Sequence, residues 1–125
     1  MGVQLEVDKK RKLVITHFVG DCQAAEFLGI SELIRSHQDF DPSFSEVVDF
    51  SGVTAGDLPS AALQEHVKRE SIFSHTSMHI VIAPQPYIFG LARMAQVYAE
   101  KTRPHFAVVK SMKEAYEALG QRGSG

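Results

Sequence analysis

Tryptophan is absent and cysteine occurs once, at Cys22. A lone cysteine excludes an intrachain disulfide and suits a reducing compartment. No apolar run approaches the roughly 18 residues that span a bilayer. The N-terminus Met1-Gly2-Val3-Gln4-Leu5-Glu6 lacks the apolar core of a secretory signal. Glu6 also stands where N-myristoylation wants serine or threonine. The expectation is a cytoplasmic protein with no transmembrane segment. Neither sign of charge is in excess: the formal net charge is −2, so there is no basic footprint for nucleic acid. The one basic run, Lys9-Lys10-Arg11-Lys12, is short and lies between two predicted strands, where a solvated hairpin turn explains it. Gly52 and Gly56 lack the lysine of a phosphate loop and the third glycine of a dinucleotide loop. No cofactor is expected.

What is present is an apolar fraction of 44% spread over 125 residues, enough for one domain with its own core. That domain is assigned to residues 1–120, with the glycine-rich residues 121–125 as a flexible tail. The chain is organised around Val47 to Ser60, which reads as a buried strand over Glu46–Phe50, a loop over Ser51–Leu58 and a helix start at Pro59. Before it, Val3–Val7 alternates apolar and polar residues as a half-buried strand does. Leu13–Val19 follows as its hairpin partner, ended by Gly20-Asp21. Asp21 is the expected N-cap of a helix reaching Ser36, weakened at Gly29. After the central loop, with Asp57 as N-cap, a helix is predicted to about Ser74. Met78–Ala83, Ile88–Lys101, His105–Lys110 and Met112–Leu119 read as strand, helix, strand and helix, the last opened by the capping box Ser111…Glu114. The order β-β-α-β-α-β-α-β-α predicts an α/β fold: a mixed, mostly parallel five-stranded sheet flanked by helices.

No residue set amounts to a catalytic signature, so no enzyme is expected. Asp49 and Asp57 read as a strand end and a helix cap rather than an acid–base pair. The six histidines are scattered. His75 and His79 are four apart but lie in loop and strand, so helical metal pairing does not apply and no metal site is assigned. Cys22, placed in the first turn of a helix, is a candidate for a lowered thiol pKa, against the simpler reading of a buried thiol. Tyr87, Phe89, Gly90 and Met94 are candidates for an apolar ligand site, against core packing as the simpler reading.

The stretch Asp49-Phe50-Ser51-Gly52-Val53-Thr54 with Asp57, the strand His79–Pro84 and the ending Phe106-Ala107-Val108-Val109 with Glu114-Ala115 and Leu119 resemble the SpoIIAA-like members of the STAS superfamily, the anti-sigma-factor-antagonist fold. The resemblance covers nearly the whole chain. It implies a role in protein–protein regulation or, as in related modules, binding of a small hydrophobic or anionic ligand. In the antagonists a serine just after the aspartate is phosphorylated to switch partner binding. Here Leu58 and Pro59 follow Asp57, so that switch does not carry over by position. Ser51, Thr54 and Ser60 are left as hydroxyls without an assigned role.

The expected function is therefore a non-catalytic regulatory or protein-interaction module, with a carrier or sensor of a small apolar or anionic ligand as the alternative. An enclosed apolar cavity would favour the alternative. A homodimer paired through the N-terminal edge is expected as well. The carboxyl ends of parallel strands gather on one rim, where open α/β sheets place their crevice. Thr54, Gly56, Asp57 and Tyr87 are the binding residues expected there.

Overall fold

The computed structural model describes residues 2–57 and 60–123, and of residues 55–57 and 121–123 the backbone only. Its elements are β1 (Gly2–Asp8), β2 (Leu13–Gln23), α1 (Ala24–Leu28), α2 (Ile30–Arg35), β3 (Ser45–Asp57), α3 (Ser60–Lys68), β4 (Met78–Ile82), α4 (Pro86–Tyr98), β5 (His105–Val109) and α5 (Met112–Gly123). The sheet order is β1-β2-β3-β4-β5. β1 runs antiparallel to β2, and every later pair is parallel. This is the predicted α/β architecture, a mixed five-stranded sheet flanked by helices. Lys9 to Lys12 form the exposed turn of the first hairpin. No described helix is long and apolar enough to cross a membrane.

The two-residue period of the strands divides the core. Val14, Phe18, Phe50 and Val81 face α1, α2 and α4, meeting Phe27, Ile34, Ile88 and Leu91. Leu13, Ile15, Val47, Ile80 and Ile82 face α5 and pack with Ala115, Met112 and Leu119. A strand covered on both faces is apolar nearly throughout, and β4 is so except at His79.

Several element boundaries differ from those predicted. Gly20-Asp21 does not end the second strand. Gly20 adopts φ +74, and the register shifts on either side of it, between His17 and Val19 and between Gly20 and Asp21. A glycine in the left-handed region absorbs an irregularity that would break the pairing elsewhere. β2 then continues to Gln23 alongside β3, pairing Val19 with Gly52 and Gln23 with Asp57. The expected loop Ser51–Leu58 is therefore strand as far as Asp57. Gly52 suits that role: a Cβ there would meet the Phe18 carbonyl and the Val19 side chain at 3.4 Å.

Asp21, now inside β2, caps no helix. It accepts a hydrogen bond from Gln23 Nε2 at 2.7 Å, while the Glu26 carboxylate accepts the Gln23 backbone N–H at 3.2 Å. The first helix is interrupted at Gly29, the residue of lowest helix propensity within it. The third helix stops at Lys68 rather than Ser74. Arg103 and Thr102 draw off the Val67 and Arg69 carbonyls, and Ser71 Oγ accepts the Phe73 N–H, a local bond that competes with helix. The predicted cap and start of that helix involve the Asp57 side chain, Leu58 and Pro59, which lie outside the described residues. The backbone of α5 continues to Gly123, into the segment read as a tail.

Candidate functional site

The rim at the carboxyl ends of the strands is held by Gln85. Its Nε2 donates to the carbonyls of Phe50 at 2.8 Å and Val53 at 3.0 Å, tying the start of α4 to the extended part of β3. Thr54 is exposed on β3 and Tyr87 is 66% exposed on the first turn of α4. Gly56 pairs with Cys22 and Asp57 with Gln23. Among the described residues no hydrogen bond or ring contact joins Thr54 to Tyr87. The rim residues thus share one end of the sheet without forming an enclosed site. Two such exposed side chains contribute little to the fold. The double variant Thr54→Ala, Tyr87→Ala is expected to unfold within about 1 kcal/mol of the parent in urea, so that any loss of partner binding is a surface effect.

The polar groups that do converge lie inside. β3 and β4 set Glu46 beside His79, and Glu46 Oε1 meets His79 Nδ1 at 2.8 Å. His79 is 2% exposed. α3 brings in His66, whose ring lies 4.9 Å from that of Phe27, edge to face. The turn before β5 brings in Arg103, which is buried. Among the described residues its side chain donates from Nη1, to the Val67 carbonyl at 2.9 Å, the Arg69 carbonyl at 3.0 Å and Thr102 Oγ1 at 3.1 Å.

These groups set one another's charge. Burial by itself pushes the Glu46 carboxyl upward, but the His79 hydrogen bond and the nearby charges of His79 and Arg103 outweigh it and hold the carboxyl below its ordinary value. Burial pushes the His66 ring down to about 4, and the positive charge of Arg103 adds to that. Burial also lowers Arg103 against the pull of Glu46, though a guanidinium stays cationic.

The cluster borders a cavity of about 50 Å³. Its other walls are mostly apolar, Phe18, Phe27, Phe50, Val81, Leu91 and Ala92 among them, with Ser31 and Ser71. Among the described residues His79 Nε2 has no hydrogen-bond partner, and it is buried at the wall. No family model matches the chain, and no curated protein matches it. The geometry alone therefore bears on what the cavity does.

Of the histidines, His75 and His105 are exposed, His17, His37 and His66 are partly buried, and His79 is buried. One signal for His79 was there: it lies in the most apolar run of the chain. A second pair was also missed. His17 Nδ1 and Asp49 Oδ2 lie 2.7 Å apart on adjacent strands, and Asp49 Oδ1 accepts the Ser51 N–H at 2.9 Å. Asp49 is a strand-interior partner rather than a strand end. The pair has the form of a base and its orienting carboxylate, but no described hydroxyl or thiol hydrogen-bonds to His17. His75 bonds to the exposed Glu70 at 2.8 Å. No group of three or more histidine, cysteine, aspartate or glutamate side chains suited to a metal occurs among the described residues.

Two further candidates are corrected. Cys22 lies in β2, not in a helix turn, and is buried. Burial, with Glu26 and Asp21 nearby, pushes its thiol up to about 11. Alkylation by iodoacetamide at pH 7.5 is expected to run at least about 100-fold slower than for an unfolded control, as the thiolate fraction falls roughly tenfold per unit of pKa. On α4, Gly90 and Met94 are exposed like Tyr87. It is Ile88, Leu91, Ala92 and Ala95 on the opposite face that line the cavity.

Proposed function

We propose that this chain is a non-catalytic, STAS-like module that carries or senses a small, largely apolar molecule held between the sheet and α1, α3 and α4. The observation that carries the reading is the apolar cavity with a buried imidazole nitrogen left unpaired at its wall. Buried polar atoms almost always have a partner, and ligand sites combine apolar walls with a few convergent polar groups. Access is consistent with this. α3 rests chiefly on α4 and α1, so a ligand entering beneath it would unpair no strand.

A native mass spectrum of freshly purified protein, with thermal unfolding alongside, tests the reading. The expected result is a species carrying one small molecule, absent from Ala92→Leu, whose longer side chain fills the cavity. A bare mass, together with no thermal shift on addition of small apolar compounds, would overturn it. The protein-interaction reading draws support from a different surface. Tyr87, Met94 and Val97 are exposed on α4, apolar area suited to a partner or to a second copy in a homodimer. The free Cys22 suits the cytoplasm for either role.

A further inference from the structure

The sheet ends at β5, which has a neighbour on one side only. We propose that this edge pairs, antiparallel, with β5 of a second copy of the chain, and that Arg93 and Glu100 of α4 form reciprocal ion pairs across the two-fold axis. The interface lies away from the cavity and does not depend on what the cavity holds.

The Val109 carbonyl accepts the Ala83 N–H at 2.8 Å, so Val109 and, by alternation, Ala107 turn their backbone groups toward β4. Phe106 and Val108 turn theirs outward. Gln96 Nε2 donates to the Phe106 carbonyl at 2.9 Å, and beyond the strand the Lys110 N–H goes to the Glu114 carboxylate. Among the described residues no side chain bonds to the N–H groups of Phe106 and Val108 or to the Val108 carbonyl. No proline, charge or bulge interrupts Phe106–Val109, and those are the devices that keep edge strands apart. A two-fold axis at Ala107 sets Phe106 opposite Val108 of the partner subunit. Each Val108 N–H then donates to the other chain's Phe106 carbonyl, which keeps a second lone pair beside Gln96. Each Phe106 N–H donates to the other chain's Val108 carbonyl. Lys110 falls opposite Pro104 of the partner subunit, clear of the partner's Lys110.

The charges on α4 indicate that the occupant is a second copy. Lys110 Nζ lies 5.1 Å from the Phe89 ring and Gln96 reaches Phe106, so this face of α4 lies over β5. Arg93 and Glu100, each one turn further along from Phe89 and Gln96, continue that face. Both are exposed, and neither has an ion pair among the described residues. About 10 Å of helix separates them, too far for a pair within one chain. The two-fold axis runs the second α4 antiparallel to the first. It carries Arg93 toward Glu100 of the partner subunit, and Glu100 toward the partner's Arg93. A patch whose opposite charges answer each other under that rotation is self-complementary. An unrelated extended peptide would use the edge and leave both charges unmet. Pairing through β1, the other edge, would gather Glu6 and Asp8 of two copies along one seam. Tyr87, Met94 and Tyr98 share a different side of α4, where Lys68 lies 5.0 Å from the Tyr98 ring, and remain open to another partner.

Sedimentation equilibrium of the full chain from about 1 to 200 µM tests this. The mass is expected to rise with concentration from 13.8 kDa toward twice that value. Arg93→Glu and Glu100→Arg are each expected to weaken the dimer about 10-fold. The double variant Arg93→Glu, Glu100→Arg is expected to return it to within about 3-fold of the parent. Because the two side chains do not meet within one chain, a merely structural role would give no such rescue. Val108→Pro removes an outward N–H and no bond to β4, and is expected to remain a folded monomer at every concentration. If that variant does not fold, amide exchange in the parent decides. The Val108 N–H is expected to exchange at least about 10-fold more slowly where the dimer dominates than where the monomer does. A single-chain mass throughout would overturn the proposal. So would a dimer that persists in folded Val108→Pro, a Val108 exchange rate independent of concentration, or charge reversals that the double variant fails to rescue.

Discussion

Replacing Arg103 by methionine is expected to destabilise the protein by about 3–5 kcal/mol, the range for breaking a buried ionic arrangement by removing one partner. Methionine keeps much of the length and apolar stem of arginine, so little of the loss comes from an emptied volume. Two consequences follow from removing the guanidinium. The Val67 and Arg69 carbonyls lose the donor that closes the end of α3, and Glu46 loses the cation that helps keep its buried carboxyl charged. Lysine in the same place would restore a charge but not the fixed fork of donors, so Arg103→Lys should recover only part of the loss. Urea unfolding of the three proteins at pH 7 checks this. A methionine variant within about 1 kcal/mol of the parent would show that the cluster tolerates the loss of its cation.

Acidification should weaken the fold over a window set by His66. Its ring titrates near 6.5 when unfolded and near 4 when folded. Between those values the unfolded chain binds a proton that the folded chain does not. The stability is therefore fully present above about pH 6.5 and is lost as the pH falls toward 4, by up to roughly 3 kcal/mol. Glu46 acts in the same direction at lower pH. Its carboxyl is depressed in the folded state, so its contribution is present above its unfolded value and is lost as the pH falls through the folded one. In His66→Phe the upper window should flatten, because the ring beside Phe27 no longer takes up a proton on unfolding. Urea midpoints measured from pH 7.5 to 4 decide. Parallel curves for the parent and the variant would remove His66 as the cause.

The architecture was legible because its cause is periodic. Alternation in Val3–Val7 marked a half-buried strand, and the short β-branched run Glu46–Phe50 a buried one. The spacing of helix and strand then required parallel pairing. What escaped was decided by contacts between distant segments. Nothing local in Gly20-Asp21 indicates that β2 carries on, since the partner that sustains it is the glycine-bearing stretch after Phe50. The end of α3 is set by Arg103, some 36 residues further along the chain. The interior cluster has the same origin. Glu46 and His79 are 33 residues apart and meet through the β3–β4 register, while Asp21 and Asp57, chosen as caps by residue type, were the more conspicuous acidic residues.

The strand order has a consequence for how the chain is made. Because β1 to β5 lie across the sheet in the order in which they are synthesised, each strand docks on the edge left by the one before, and none has to be inserted between two already paired. A chain leaving the ribosome from its N-terminus can assemble the sheet in one direction. The intervals between the parallel strands add only logarithmically to the cost of closure. At each stage two edges are bare, the growing one and the outer edge of β1, which its hairpin pairs on one side only. Of these two unpaired edges, the β1 edge is constant, while the other passes to whichever strand has most recently emerged.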